Sequence, residues 1–488
     1  MTKTYDALII GSGFGGIGMA IQLKKTGRHD FLVLEKAGSV GGTWRDNTYP
    51  GAACDVESHL YSLSFAPKRD WSRRYGSQAE IQRYIESCVS QFNLQPHLRC
   101  NAEVTEMRFH DSAKLWHVTL ASGDVLLSRT VITAVGQLNQ PLYPNIDGLA
   151  DFQGPVFHSA RWDHSVELTG KTVGVIGTGA SAIQFVPQLS KIAKRLQVFQ
   201  RSGSWVIGKN DRPFHRWEHW CFQNIPGVAR LYRTFLYLKT ESRAVVFTRF
   251  NWLLKYGEWQ AHRLARRDMS NEQKRQQLIP NYKIGCNRIL LANDWYSSID
   301  LPHVDLVTSP IKGVTARGVV TADGVEHPSD VLVLGTGFRA TEFLTPIRVI
   351  GRQGIDLNQA WAQGAEAYKG ISVSGFPNLF MLYGPNTNLS HSSILLMLES
   401  QMHYVLQCLR ALERHRAVTM DVKPERQQHY VTKLQKKLDN TVWSSGCSSW
   451  YLDDNGRNVV NWFGFTFSYR WMTRRVKVDD YDWVREPS

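Results

Sequence analysis

Residues 5–16 read YDALIIGSGFGG, and this stretch decides the fold. A strand pattern, YDALII, runs into glycines at 11, 13 and 16, and the helical pattern IGMAIQLKK (17–25) follows at once. Strand, glycine turn and helix in that order are what a dinucleotide fingerprint requires. Gly11, Gly13 and Gly16 allow a sharp turn and close backbone approach to a pyrophosphate, which the helix N-terminus faces. A second strand pattern, DFLVLE (30–35), ends on Glu35, nineteen residues past Gly16. A carboxylate there accepts a hydrogen bond from a ribose 2′-OH and repels a 2′-phosphate. A fingerprint of this kind at the start of a chain usually holds FAD, the first expected cofactor.

The pattern recurs at KTVGVIG (171–177) followed by TGASAIQFVPQL (178–189). Here GxGxxA falls on Gly177, Gly179 and Ala182, with Thr178, Ala180 and Ser181 filling the turn. The next strand pattern, LQVFQ (196–200), leads into Arg201 and Ser202 rather than an acid. An arginine at a strand end pairs with a 2′-phosphate, so NADPH is the expected second cofactor, with a surface Arg beside an NAD site as the alternative. Two further strand-to-glycine turns, TVITAVG (130–136) and DVLVLGTGF (330–338), mark where the chain crosses between the two nucleotide units. The expected fold is therefore α/β, with two Rossmann-like dinucleotide-binding domains and a helical insertion. The FAD domain would comprise residues 1–140 and 332–488, the latter with the C-terminal loop. The NADPH domain would comprise 141–205 and 286–331, interrupted by a helical subdomain at 206–285. Its stretch 217–259 is apolar and aromatic at helical spacing, with Arg and Lys between. It would pack on the NADPH domain, line a tunnel for lipophilic substrates or rest on a membrane surface.

Bulk properties agree with a globular intracellular protein. A chain of 488 residues with 43% apolar content builds about three domains or lobes. It has no run of 18 or more apolar residues of the kind that spans a bilayer. The N-terminus carries no signal-peptide pattern, and the expected location is the cytoplasm. The net charge of +14 is spread along the chain, with short clusters such as RWMTRRVK (470–477). That suits phosphate-rich cofactors and gives no nucleic-acid signature. Seven cysteines, at 54, 88, 100, 221, 286, 408 and 447, form no CxxC pair. The expectation is reduced thiols, without a disulfide framework, zinc site or dithiol redox centre.

Between the two fingerprints lies FQGPVFHSARWD (152–163), aromatic where a tether need only be polar. Phe152, Gly154, His158, Trp162 and Asp163 fall at the spacing F-x-G-x-x-x-H-x-x-x-W-D. A second pattern, G-G-x-W-x-x-x-x-Y-P-G-x-x-x-D, falls on Gly41, Gly42, Trp44, Tyr49, Pro50, Gly51 and Asp55. On these residues the chain resembles the type I Baeyer–Villiger monooxygenases, over essentially its whole length. The resemblance implies an FAD- and NADPH-dependent enzyme that inserts one atom of O2 next to a ketone carbonyl, giving an ester or lactone. A flavin-containing S- or N-oxygenase is the alternative.

The resemblance also implies roles. The active-site Arg of the family falls in a stretch similar to NYKIGCNRILLANDWY (281–296), at Arg288, where its charge would hold a flavin C4a-peroxide in the anionic form. Asp55 would orient that Arg. Trp44 and Tyr61 resemble flavin-contacting aromatics, and Trp450, in SSWYLDDNGRN (448–458), resembles a Trp that closes over NADP. His158 would couple NADP binding and domain rotation to the flavin site, or serve structurally at the junction. Many relatives carry Lys where this chain has Asn287, which either leaves more of the NADPH preference to Arg201 or weakens that preference. The LDDNG that follows Tyr451 is closer to the subgroup that includes 4-hydroxyacetophenone monooxygenase. Together with the apolar insertion it points to linear aliphatic or aryl ketones. The turn GPNTNLSHSS (384–393) is poorer in glycine than its family counterpart.

Overall fold

The computed structural model describes residues 3–447 and 449–485. Its first sheet has eight strands, in the order 348–350, 104–110, 115–120, 125–133, 4–10, 31–34, 98–99, with 379–381 also beside 125–133. The strand Thr4–Ile10 runs parallel to Phe31–Leu34 on one side and Val125–Thr133 on the other. Ala7, Leu8, Ile9 and Ile10 are all buried, the run expected of a central parallel strand covered on both faces. The long strand Val125–Thr133 serves two neighbours. Residues 125–128 pair antiparallel with Leu115–Leu120, and 131–133 pair parallel with Leu379–Met381.

The helix Phe14–Lys25 opens at the first glycine turn and is buried over most of its surface. It packs on the 22-residue helix Ile394–His415, whose N-cap Ser393 accepts from the Leu395 N–H. A Cβ at Gly18 would lie 2.4 Å from Met402 Cε, so the two helices touch where only hydrogen fits.

The second sheet is wholly parallel, in the order 304–307, 195–199, 172–176, 331–334, 156–158. The strand Val331–Leu334 lies entirely within it, so the chain returns to the first sheet only past Leu334, beyond the 331/332 boundary drawn from sequence. The segments that cross between the sheets are bonded to each other. Leu142 N–H donates to Gly337 O at 2.9 Å, and Arg339 N–H to Gln140 O at 3.0 Å.

The 206–285 insertion divides its allegiance. Its first helices lean on the first unit: Phe214 and Phe222 join the core cluster around the Phe14–Lys25 helix, and Lys239 pairs with Glu57 at 3.2 Å. Its last helices, through Leu264, Ala265, Met269 and Leu278, pack with the second sheet. The expectation that the whole region packs on the NADPH domain is thus corrected, because its apolar positions face two different cores. No described helix is long and apolar enough to cross a membrane.

Cys286 and Cys447 are joined as a disulfide across 161 residues of chain, which corrects the expectation of seven free thiols. Pairing at that separation is set by tertiary proximity and has no local spacing to betray it. Cys54, Cys88 and Cys408 are free and buried; Cys100 and Cys221 are free and partly buried.

Candidate active site

One cavity of about 1450 Å³ is lined by both glycine turns, by Asp55 and Arg288, and by Trp450. It exceeds the few hundred to about 1000 Å³ of a typical single-ligand pocket. At the first turn the glycines are dictated by backbone contact: a Cβ on Gly16 would stand 1.8 Å from Gly11 O. Glu35, 4% exposed, lines the cavity at the end of Phe31–Leu34. Its carboxylate accepts from Ser12 N–H (3.0 Å), Ser12 Oγ (2.7 Å) and Ala37 N–H (3.0 Å), and pairs with Arg45 at 2.8 Å. Burial pushes its pKa up, but these bonds and the Arg45 charge more than offset that and hold it below the usual carboxylate range. Trp44 and Tyr61 both line the cavity, joined by Trp44 Nε1–H donating to Tyr61 OH at 3.2 Å.

At the second turn a Cβ on Gly177 would meet Gly335 O at 2.5 Å, whereas one on Gly179 would meet nothing within 4 Å. That leaves open space over the turn at the start of Ala182–Leu189, where a phosphate would sit. Thr178 Oγ1 donates to Ser202 O at 3.3 Å, and Arg201 and Ser202 line the cavity just past the strand Arg195–Phe199. Asn287 lines it too and bonds Tyr282. The residues present fit a dinucleotide at each turn.

Asp55 and Arg288, 233 residues apart, meet in this cavity. Arg288 Nε and Nη2 both donate to Asp55 Oδ2, at 3.2 and 2.5 Å, with about a third of each side chain accessible. Burial raises the Asp55 pKa, and the Arg288 charge and its hydrogen bonds, aided by Lys209, lower it further than that. The Asp55 charge raises that of Arg288, so both remain ionised. Tyr383 lines the cavity close to the pair, and its OH donates to Asn388 Oδ1 at 2.6 Å. Asn388 Nδ2 donates to Asn461 Oδ1 at 3.0 Å, and Asn386 Nδ2 to Asn458 O at 2.7 Å, so the 384–393 turn is bonded to the segment that follows Trp450. Trp450 rests on Tyr451, ring centroids 4.5 Å apart. Among the described residues no His/Cys/Asp/Glu group could hold a metal.

The aromatic linker is built into the edge of the second sheet. Phe152 joins a core cluster with Ile176, Phe199 and Leu332, and a Cβ on Gly154 would lie 2.3 Å from Asp330 O. The strand Val156–His158 pairs with Val331–Leu334, and Trp162 packs edge-on to Phe157 at 5.1 Å. Asp163 accepts from Ser165 N–H at 2.9 Å. The linker also touches the other pattern: Arg161 lies 3.8 Å from Asp46, and His164 bonds Thr48 at 2.8 Å. Tyr49 OH donates to Gln184 Oε1 at 2.9 Å, and Gln184 Nε2 to Ala53 O at 2.9 Å, tying this pattern to the second fingerprint's helix.

His158 is fully buried, its Nδ1 accepting from Ala160 N–H at 3.0 Å and its ring near Tyr143 and Phe338 of the two crossing segments. Burial pushes its pKa down to about 4, and that of buried His59 likewise. Both are neutral in the fold, whereas an unfolded His titrates near 6.5. As pH falls from about 6.5 toward 4 the unfolded chain takes up protons that the fold refuses, so stability present above 6.5 is lost across that window. Urea unfolding at pH 7 and pH 5 should differ by a few kcal/mol, with a shallower pH slope in His158→Gln; an unchanged slope would refute this assignment.

Sequence reasoning missed Lys209, Gln184 and Tyr383. Lys209, 154 positions from Asp55, belongs to no motif. Tyr383 stands just before the quoted turn, and its positive φ of 67° marks a constrained backbone that sequence does not announce.

Comparison with known proteins gives the family. Residues 8–215 match the family described as pyridine nucleotide-disulphide oxidoreductase. A Baeyer–Villiger monooxygenase of Pseudomonas aeruginosa is 42% identical over 481 residues, covering 98% of this chain and 91% of that protein. Among solved structures, cyclohexanone monooxygenase from Rhodococcus sp. Phi1 bound to NADP+ superposes with a TM-score of 0.89 at 27% identity, covering 99% of this chain and all of that one. OTEMO in complex with FAD and NADP gives a TM-score of 0.89 at 26% identity with the same coverage. Fold and paired turns thus define an oxidoreductase of two-nucleotide design. The chain belongs to the Baeyer–Villiger monooxygenase family.

Proposed function

We propose that this chain binds FAD at the Gly11–Gly16 turn and NADPH at the Gly177–Ala182 turn. With them it inserts one atom of O2 beside the carbonyl of a ketone, releasing an ester or lactone. The observation that carries this reading is the Asp55–Arg288 pair, ionised and facing the cavity onto which both turns open. When bound, the two cofactors would supply the two reducing equivalents that activate O2, one atom of which enters the product while the other leaves as water. The chain's own residues bind, orient and hold charge. Glu35 would receive the ribose hydroxyl of FAD, with Trp44 and Tyr61 against the ring system. Thr178, Ala180, Ser181 and Ser202 would surround the NADPH phosphates. Arg288 presents a positive charge that no accessible pH removes, and Asp55 fixes its direction, so negative charge on oxygen beside the substrate carbonyl is favoured. Trp450 would cover the nicotinamide side. Phe152, Gly154, His158, Trp162 and Asp163 would couple the two units, which we take as the divisions given above with the return past Leu334. The substrates we infer are linear aliphatic or aryl ketones, as the LDDNG stretch suggests. The reading places the enzyme in the cytoplasm, where NADPH is made and where the Cys286–Cys447 bridge would be open to reduction.

The test is turnover of purified, FAD-loaded protein with NADPH and ¹⁸O2 on 2-octanone, acetophenone, cyclohexanone and thioanisole. An ester carrying one labelled oxygen supports the reading, and sulfoxide without ester overturns it. A best rate on cyclohexanone by a wide margin overturns the substrate class alone. Arg201 is tested separately. Arg201→Ala should raise the KM for NADPH about tenfold, the lower end for an exposed charge-assisted contact, and leave that for NADH unchanged. Equal effects on both coenzymes would remove the 2′-phosphate role.

A further inference from the structure

Two helices outside the site each carry an exposed apolar stripe beside a stripe that lines a second cavity. In Val228–Ser242, Leu231, Phe235 and Leu238 are 70, 59 and 60% exposed and share one face. About a quarter turn round the same helix, Arg230, Arg233, Thr234 and Tyr237 line a cavity of about 670 Å³. In Thr466–Met472, Phe467 and Trp471 are 55 and 66% exposed, while Thr466 and Arg470, each one residue earlier, line that same cavity. Thr466 Oγ1 donates to Tyr237 OH at 3.3 Å, so the two helices are neighbours.

The cavity is cationic. Lys68, Arg69, Arg230, Arg233 and Arg470 line it, Lys68 being paired with Asp70 at 2.8 Å, and among the described residues Glu399 is the one acid in its wall. Both Glu399 oxygens already accept from Ser64, one from its N–H and one from its Oγ, each at 2.6 Å. His59, 4% exposed, lines the cavity with its Nε2 unbonded; Arg233 Nη2 is buried without a hydrogen bond, its nearest charge the Glu399 Oε1 3.8 Å away. Arg233 Nη1 is spent on the carbonyls of His59, Leu60 and Ser62. Buried polar atoms left unbonded are destabilising unless something enters to bond them.

We propose that this face seats the protein on an anionic lipid bilayer, the apolar residues of the two helices entering the headgroup–acyl boundary and a lipid phosphate entering the cationic cavity. An aromatic and aliphatic stripe flanked by arginines is the composition of an interfacial helix, and anionic headgroups attract each such charge. Arg474 stacks on Trp471 at 3.4 Å, adding a cation beside the exposed ring. The net charge of +14 favours the same surface. A second copy of the chain is a poor occupant, since it would bring the same cations against themselves.

Co-sedimentation with phosphatidylcholine vesicles, with and without phosphatidylglycerol, tests this on the FAD-loaded enzyme. Binding to the anionic vesicles that falls with salt is expected, and none to phosphatidylcholine alone. Arg230→Gln with Arg470→Gln should weaken it about thirtyfold, and Phe235→Ser with Trp471→Ser more than tenfold, with turnover of a water-soluble ketone unchanged in both. Glycerol phosphate should not compete at concentrations that leave vesicles intact; full competition would make the cavity a site for a soluble phosphate and overturn the bilayer. Absence of vesicle binding overturns the proposal, as does a concentration-dependent dimer that the Phe235→Ser, Trp471→Ser variant abolishes.

Discussion

Replacing Arg288 with alanine is expected to cut ester formation at least about a thousandfold while NADPH oxidation continues and the oxygen consumed appears as hydrogen peroxide. The argument is electrostatic. Arg288 faces the cavity with its charge secured, since Asp55 raises its pKa and the pair keeps each member ionised. Removing it leaves both glycine turns, and so both cofactor sites, untouched. Arg288→Lys keeps a charge but loses the two-nitrogen grip on Asp55 Oδ2, so it should recover only a small part of the activity. Product chromatography beside a peroxide assay reads both arms, with flavin absorbance confirming occupancy. Ester formation by Arg288→Ala within tenfold of the parent would remove Arg288 from the reaction.

Asp55→Ala is expected to lower ester formation about a hundredfold, because Arg288 would keep its charge and lose its direction. Here pH discriminates. Asp55 is held below the ordinary carboxylate range, so the stability of the pair is present above about 3.9 and lost only as pH falls through the depressed value. The activity of the parent should therefore show no acid limb from Asp55 between pH 5 and 8. An acid limb near pH 6 that disappears in Asp55→Asn would contradict this placement.

The glycine turns were legible because their constraint is local. Gly16 lies five residues from the Gly11 oxygen that excludes its Cβ, and Arg201 stands one short strand beyond the turn it accompanies. The pairing of Asp55 with Arg288 was legible only through family resemblance, since no periodicity links positions 233 apart. Lys209 and Gln184 were not legible: each is an ordinary polar residue in its own segment and acquires a partner only when the two sheets come together. The Cys286–Cys447 bridge escaped for the same reason. The split packing of the insertion escaped because helical periodicity says which residues are buried, and not against which core.

The two segments that carry the chain between its sheets lie side by side, stitched at Leu142–Gly337 and Gln140–Arg339. Mechanically they form a flat ribbon rather than two separate strings. The His158 ring lies near both segments, 5.6 Å from Tyr143 and 5.8 Å from Phe338 by ring centroids. The aromatic character of residues 152–163 is spent on packing: Phe152, Phe157 and Trp162 are buried in the cores beside the second sheet, where a tether would need only length.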